Sequence, residues 1–228
     1  METIKRREPE INLHLGCSLA AMREMKDNQY DLAIVDPPYG IGADKKNNGK
    51  NSDRHLETSK AKINTYKKSN WDSKSPNKEY FEELFRVSKE QIIWGVNYFS
   101  HVGLKGGRIY WNKCVTMPTY SDGELAYCSK LTSIQSITYA WHGMIQGDMK
   151  NKEIRIHPTQ KPIALYKWCL EKFAKDGDKI LDTHLGSGSI ACACYDLGFD
   201  LDAWEIDTDY YRDTLLRYNE YSKQIKLF

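Results

Sequence analysis

A short apolar run followed by an acid, two prolines and an aromatic residue restricts this chain more than any other segment. Residues 32–35 read Leu-Ala-Ile-Val, which predicts a short buried strand. Asp36, Pro37, Pro38 and Tyr39 follow directly. Because proline lacks the N–H that a central strand must donate, the chain has to turn here. The turn therefore lies at the carboxyl end of a strand, where open α/β sheets bind their ligands.

The side chains of this turn indicate what it binds. Asp36 supplies a negatively charged acceptor, and Tyr39 supplies a flat ring. Pro37 and Pro38 supply carbonyl groups without competing N–H donors. Together these groups suit a planar base that carries an amino group, held by hydrogen bonds at its edge and by stacking on its face.

A second ligand-binding turn is predicted in the last quarter of the chain. Residues 178–182 read as a strand, 183–189 as a glycine-rich turn and 190–197 as a helix. Gly186 and Gly188 let the backbone approach a ligand without a Cβ clash. Glu205 ends the following strand, where an acid commonly accepts from ribose hydroxyls. On its own, this pattern fits NAD as well as S-adenosylmethionine.

Strands and helices alternate along the chain, which predicts a three-layered α/β fold around a mostly parallel sheet. A length of 228 residues predicts a single domain, made of a first half (11–141), a polar connector (142–156) and a second half (157–228). Ser18 is predicted to cap the first helix. The other predicted elements are helices over 19–26, 79–88, 163–173 and 207–224, and strands over 11–15, 91–94, 108–113, 124–128, 134–141 and 199–204.

Three motifs resemble those of the DNA amino-methyltransferases, which methylate adenine N6 or cytosine N4 with S-adenosylmethionine. They are Asp-Pro-Pro-Tyr at 36–39, His-Pro-Thr-Gln-Lys-Pro at 157–162 and Asp-x-x-Leu-Gly-Ser-Gly-Ser at 182–189. Their order is similar to that of the circularly permuted β group of this family. The resemblance implies a Rossmann-like methyltransferase sandwich with an antiparallel hairpin at one edge of the sheet.

The resemblance also implies roles for individual residues. The catalytic set would be Asp36, Pro37, Pro38 and Tyr39. No metal is expected. The residues expected to bind S-adenosylmethionine are His157, Thr159, Gln160, Lys161, Asp182, His184, Gly186, Ser187, Gly188, Ser189 and Glu205. Thr183 and His184 depart from the usual Pro and Phe of the family, and residues 142–156 form a very short recognition region.

The expected activity is methylation of adenine N6 in DNA. The exocyclic amine would donate to Asp36 and to a proline carbonyl, which frees its lone pair, and Tyr39 would stack on the base after it is flipped out of the duplex. In the family, an acid at position 36 goes mainly with adenine and a serine mainly with cytosine. Cytosine N4 is therefore the alternative target.

Other classes remain open at this point. An NAD-dependent oxidoreductase would explain the glycine pattern but neither of the other two motifs. A non-catalytic DNA-binding subunit that retains the fold would explain the short recognition region. RNA and protein glutamine are alternative substrates for the same turn chemistry, and a lysine-rich loop favours nucleic acid over protein.

This loop spans residues 41–75, where nine basic residues accompany four acids although the whole chain has a net charge of only +2. Its position directly after the catalytic turn favours a segment that embraces DNA and orders on binding, with salt-dependent affinity. The six cysteines include no Cys-x-x-Cys pair, which argues against zinc and against a redox dithiol. Without a visible signal peptide or membrane span, we expect a cytoplasmic, stand-alone methyltransferase that acts on DNA as a monomer or a homodimer.

Overall fold

The computed structural model describes residues 7–43, 71–115 and 121–224. These residues form one large sheet with helices on both faces. The strands are β1 (Ile11–Leu15), β2 (Tyr30–Val35), β3 (Ser88–Trp94), β4 (Arg108–Asn112), β5 (Gly123–Cys128), β6 (Ile134–Thr138), β7 (Trp141–His142), β8 (Ile145–Gln146), β9 (Lys179–Asp182) and β10 (Asp200–Glu205). The helices are α1 (Ser18–Glu24), α2 (Lys78–Val87), α3 (Ile163–Phe173), α4 (Ser189–Leu197) and α5 (Thr208–Ser222).

Eight strands join in the order β1-β10-β9-β2-β3-β5-β4-β6. The first five run parallel to one another. β5 is antiparallel to both β3 and β4, so β4 and β5 form the expected antiparallel hairpin, while β6 pairs in parallel with β4 outside it. β1 and β2 follow one another along the chain but are separated in the sheet by β9 and β10. The predicted α/β methyltransferase fold class is confirmed.

Two apolar cores fix the three layers. Leu32 and Ile34 of β2 pack with α3 and α4 in one core, whereas Ala33 and Val35 pack with α1 and α2 in the other. All four side chains are almost completely buried, because successive residues of a strand point to opposite faces. This two-sided burial is the reason that β2 reads as a continuous apolar run rather than as an alternating pattern.

Most predicted element boundaries differ from the observed ones by one to three residues, and two of the differences change an assignment. Cys17, in an extended conformation, occupies the N-cap of α1, and Ser18 is already the first helical residue. The predicted strand 134–141 is split into β6 and β7. After β6, the N–H of Trp141 donates to the carbonyl of Lys113, and Trp141 then pairs with Gln146 in a separate hairpin. This β7–β8 hairpin lies within the segment predicted as a polar connector.

Cys192 and Cys194 lie fully buried on α4, where they pack as small core residues. Most of the basic segment 41–75 falls on residues 44–70, which lie outside the described residues. Across the described helices, none combines the length and the apolar character that a membrane span requires.

Candidate active site

The carboxyl ends of the five parallel strands bring the predicted site residues to one edge of the sheet. Asp36 follows β2, Asp182 ends β9 and Glu205 ends β10, while Gly95 follows β3. β2 and β9 are direct neighbours, with Ala33 opposite Leu181. The turn after β2 and the glycine-rich turn after β9 are therefore adjacent, although more than a hundred residues separate them along the chain.

The carboxylate of Asp36 is the centre of a compact polar cluster. The hydroxyl of Tyr39 donates to its Oδ1 at 2.6 Å, and the ammonium of Lys161 donates to its Oδ2 at 2.5 Å. Glu124 accepts from the same two donors, from Lys161 at 2.9 Å and from Tyr39 at 3.2 Å. Lys113 forms an ion pair with the other oxygen of Glu124. Two carboxylates, two ammonium groups and one hydroxyl thus form a continuous network.

The position of Lys161 differs from the role that its motif suggested. The sequence grouped Lys161 with the cofactor-binding residues, whereas the structure brings its ammonium against Asp36, Tyr39 and Glu124. Its side chain is only 3 % exposed. Glu124 and Lys113 were not predicted as site residues, because Glu124 lies on β5 and Lys113 directly follows β4, and neither position belongs to a recognisable motif. The only signal for Glu124 in the sequence was an acid within an otherwise mostly apolar predicted strand.

Burial and charge set the ionisation of this cluster. Burial raises the pKa of Asp36, and the charge of Glu124 adds to this effect while the Lys161 ammonium opposes it. Burial also disfavours ionised Glu124, but Lys161 and Lys113 outweigh it and lower the pKa of Glu124 to about 2. Although burial favours a neutral amine, the two carboxylates raise the pKa of Lys161. Asp36 is therefore the more readily protonated of the two acids.

An aromatic wall surrounds the Tyr39 ring. Tyr98 stacks on it with ring centroids 4.8 Å apart and an interplanar angle of 14°, and Phe99 meets its edge at 6.1 Å. Phe99 is buried, whereas Tyr98 is 41 % exposed. Gly95 has a positive φ of 74°, and a Cβ at this position would lie 2.1 Å from a ring carbon of Tyr39. Glycine at 95 therefore makes room for the catalytic ring.

The glycine-rich turn is fastened to its neighbours by backbone groups. The N–H of Gly186 donates to Oε2 of Glu205 at 2.9 Å, and the N–H of Asp207 donates to Oε1 at 2.8 Å. Gly188 has a φ of 72°, and a Cβ there would lie 2.5 Å from the methyl group of Thr214. This arrangement keeps the Glu205 carboxylate at the end of β10 while leaving lone pairs for a further donor.

Ser187 and Ser189 lie buried behind this turn. Their hydroxyl oxygens are 3.2 Å apart. The guanidinium of Arg217 donates to the Ser187 carbonyl at 2.6 Å and to the Ser189 hydroxyl at 3.0 Å. A further Arg217 nitrogen donates to Glu153 at 2.8 Å. These contacts tie the two serines to α5 and to the segment that precedes α3.

The His-Pro-Thr-Gln-Lys-Pro motif distributes its side chains over different surroundings. His157 is buried against the rings of Tyr210 at 4.3 Å and Trp71 at 5.0 Å. The hydroxyl of Thr159 lies 3.1 Å from its Nδ1. Gln160 accepts from the backbone N–H of residue 156 at 2.9 Å and donates to the carbonyl of residue 154 at 3.2 Å. The contacts of Gln160 therefore hold the segment before α3 in place.

Asp182 is a buried acid, and among the described residues no cationic side chain donates a hydrogen bond to its carboxylate. The backbone N–H of His184 donates to its Oδ1 at 3.0 Å. Burial raises the pKa of Asp182 to about 8, and burial lowers the pKa of His184 to about 4. Thr183, at the position where the family usually has proline, bonds to Tyr80 of α2 at 2.6 Å. The His184 ring packs edge-on against the same tyrosine at 5.3 Å.

Asp72 closes the turn that follows Tyr39. Its two carboxylate oxygens each accept a backbone N–H at 2.8 Å, from Gly40 and from Ala43. Asp72 is almost completely buried. The two described ends of the basic segment are thereby joined beside the catalytic turn, and the neighbouring Trp71 contacts His157.

Comparison with known proteins finds DNA methylases among the similar sequences. A sequence model of the N6/N4 methylases, described as DNA methylase, matches residues 129–215. The Type II methyltransferase M.HpaI of Haemophilus parainfluenzae is 25% identical over 229 residues, which covers 81% of this chain and 67% of the relative.

Solved structures share the fold. The M1.HpyAVI–SAM complex is 19% identical with a TM-score of 0.55, and the match covers 91% of this chain and 100% of that one. The cytosine-N4-specific PvuII DNA methyltransferase is 12% identical with a TM-score of 0.58, covering 95% of this chain and 93% of that one.

Proposed function

We propose that the chain is a member of the N6/N4 family of DNA methyltransferases and that it transfers a methyl group from S-adenosylmethionine to N6 of adenine in DNA. The observation that carries this proposal is the Asp36–Tyr39 pair at the carboxyl end of β2, next to the glycine-rich turn after β9. A carboxylate and a stackable ring at one strand end suit an amino-bearing base. The acid at position 36 favours adenine.

The residues around the glycine-rich turn fit the cofactor. Burial raises the pKa of the Asp182 carboxyl, and the α-ammonium group of S-adenosylmethionine would favour its charged form. Glu205, fixed by two backbone N–H groups, suits ribose hydroxyls. His157 and the edge of His184 offer flat surfaces nearby. When bound, S-adenosylmethionine supplies an electrophilic methyl group.

The chain's own residues then act on the amine. Asp36 accepts one amine hydrogen, and the carbonyl of Pro37 or Pro38 accepts the other. These hydrogen bonds reduce the delocalisation of the nitrogen lone pair into the ring. S-adenosylmethionine would supply the methyl group to the nitrogen and leave as a neutral thioether, and Asp36 would take one N–H proton of the amine. Tyr39 stacks on the base, an interaction worth about 1–3 kcal/mol. Its exposed partner Tyr98 is displaced or shares the stack.

The β7–β8 hairpin is the proposed DNA-contacting part of the connector 142–156. The hairpin exposes the apolar side chains of Met144 and Ile145 to solvent, and the residues that follow it add the exposed Met149 together with Lys150 and Lys152. Lysines suit phosphate contacts, and apolar side chains suit contacts within a groove. A hairpin of this size provides few base contacts, which is consistent with a short recognition sequence.

Methyl transfer from labelled S-adenosylmethionine to unmethylated DNA, followed by nucleoside digestion and mass spectrometry, tests the proposal. We expect N6-methyladenine from the wild type and a loss of about 10²–10⁴-fold in Asp36→Asn. Asp31→Asn, at the opposite end of the same strand, is the matched control and should retain the activity. If the product is N4-methylcytosine, the target base is cytosine instead of adenine, as the name of the cytosine-N4-specific structural relative suggests.

A further inference from the structure

Lys161 is a buried cation whose hydrogen-bond acceptors all belong to the proposed base-binding site. Its ammonium lies 2.5 Å from Oδ2 of Asp36, 2.9 Å from Oε2 of Glu124 and 3.1 Å from the Tyr39 oxygen. A buried ammonium is stable only where acceptors surround it. Here those acceptors come from two separate strand ends, so the lysine joins β2 to β5 at the site.

The sharing of this ammonium determines how strongly Asp36 attracts a proton. A cation that served Asp36 alone would strongly favour its ionised form and weaken its ability to accept from an amine. Glu124 competes for the same ammonium through Oε2, while Lys113 pairs with its other oxygen. Charges therefore alternate along Lys113, Glu124, Lys161 and Asp36, and Asp36 stands at the end that faces the Tyr39 ring.

We propose that Glu124 and Lys161 are positioning residues that hold Asp36 ionised but only partly neutralised, so that it accepts the target amine and then takes the released proton. This inference deepens the proposed function and rests on it. Lys161 keeps the carboxylate charged inside a buried site. Glu124 keeps Lys161 from neutralising it fully.

Other titratable groups also face Asp36, and the test has to separate them. Tyr39 and Tyr80 have raised pKa values, mainly because of burial, and stay neutral throughout the range of the assay. Burial likewise raises the pKa of Tyr166. Burial raises the pKa of Asp182 to about 8, so saturating cofactor is used to hold its ionisation constant.

The experiment follows the Asp36 carboxyl in two ways. In the cofactor-saturated enzyme, single-turnover methyl transfer is measured between about pH 5 and pH 9. In the cofactor-free protein, carboxyl-labelled aspartate is titrated by NMR, with Asp36→Asn and Asp182→Asn assigning the two signals. Lys161→Met should move the pKa of Asp36 upward by about 1–3 units, and Glu124→Gln should move it downward. The acid limb of the rate profile should move in the same two directions.

Lys167→Met is the matched control, because Lys167 of α3 pairs with Asp196 of α4, so the substitution removes one ammonium group without changing the cluster around Asp36. It should leave both titrations unchanged. Retained melting temperature and cofactor binding identify folded variants, and the near-isosteric Glu124→Gln gives a second test if Lys161→Met is unstable. Unchanged Asp36 titration in Lys161→Met and Glu124→Gln would overturn the inference. If the wild-type protein transfers no methyl group, the proposed function is refuted. The NMR titration would still show whether Lys161 and Glu124 control the ionisation of Asp36.

Discussion

Gly95→Ala tests whether the Tyr39 ring has to occupy its observed position. The new Cβ would lie 2.1 Å from a Tyr39 ring carbon, whereas ordinary contacts begin near 3.4 Å, so the ring would have to retreat by roughly 1.3 Å. Displacements of about 1 Å in an active site can lower activity by about 10²-fold. We therefore expect about a 10²-fold lower kcat/KM for DNA methylation with unchanged affinity for S-adenosylmethionine.

The same substitution also strains the backbone, and a second glycine isolates that effect. Gly95 and Gly103 have closely similar left-handed conformations, with φ of 74° and 66°, but a Cβ at Gly103 would meet nothing within 4 Å. Each alanine should cost about 1–2 kcal/mol, which corresponds to roughly 2–8 °C in Tm. Kinetics, cofactor calorimetry and thermal melts compare the two variants. Equal losses of activity in both, or wild-type kcat/KM in Gly95→Ala, would refute the role assigned to Gly95.

Two further predictions concern the cofactor turn. Gly188→Ala would place a Cβ 2.5 Å from the Thr214 methyl group and should weaken S-adenosylmethionine binding. Adding Thr214→Ser, which removes that methyl group, should restore part of the affinity. Gly198→Ala is the control, because Gly198 has a similar φ but open space around its Cβ position, and it should leave binding intact. If calorimetry shows no rescue by Thr214→Ser, the clash with Thr214 is not the cause. Because the pKa of Asp182 is raised to about 8 by burial, cofactor binding near pH 7 should release close to one proton, and progressively fewer above pH 8. Calorimetry in buffers of different ionisation enthalpy measures this release, and its persistence in Asp182→Asn would exclude Asp182 as the source.

The sequence predicted those features that depend on short segments. The prolines at 37 and 38 required a turn, and the apolar run before them required a buried strand, so Asp36 could be assigned to a strand end. Glycines 186 and 188 marked the second turn in the same way. These predictions succeeded because backbone chemistry within a few residues determines them.

The polar cluster could not be predicted in the same way. Glu124 reaches Asp36 only because β5 inserts antiparallel beside β3, with Trp94 opposite Ala126. Lys161 reaches the same point because its long side chain extends from the start of α3 to the end of β2. The stacking of Tyr98 on Tyr39 likewise depends on tertiary placement. Local sequence patterns carry no information on these distances.

The interleaved strand order has a consequence for how the protein is made. β1 and β2 leave the ribosome before β9 and β10, although β1 pairs with β10 and β2 pairs with β9. A nascent chain that stops at residue 141 therefore exposes both of these strand edges. If the chain is cut within residues 142–156, the two fragments can assemble into the native sheet only when β9 and β10 of the second fragment insert between β1 and β2 of the first.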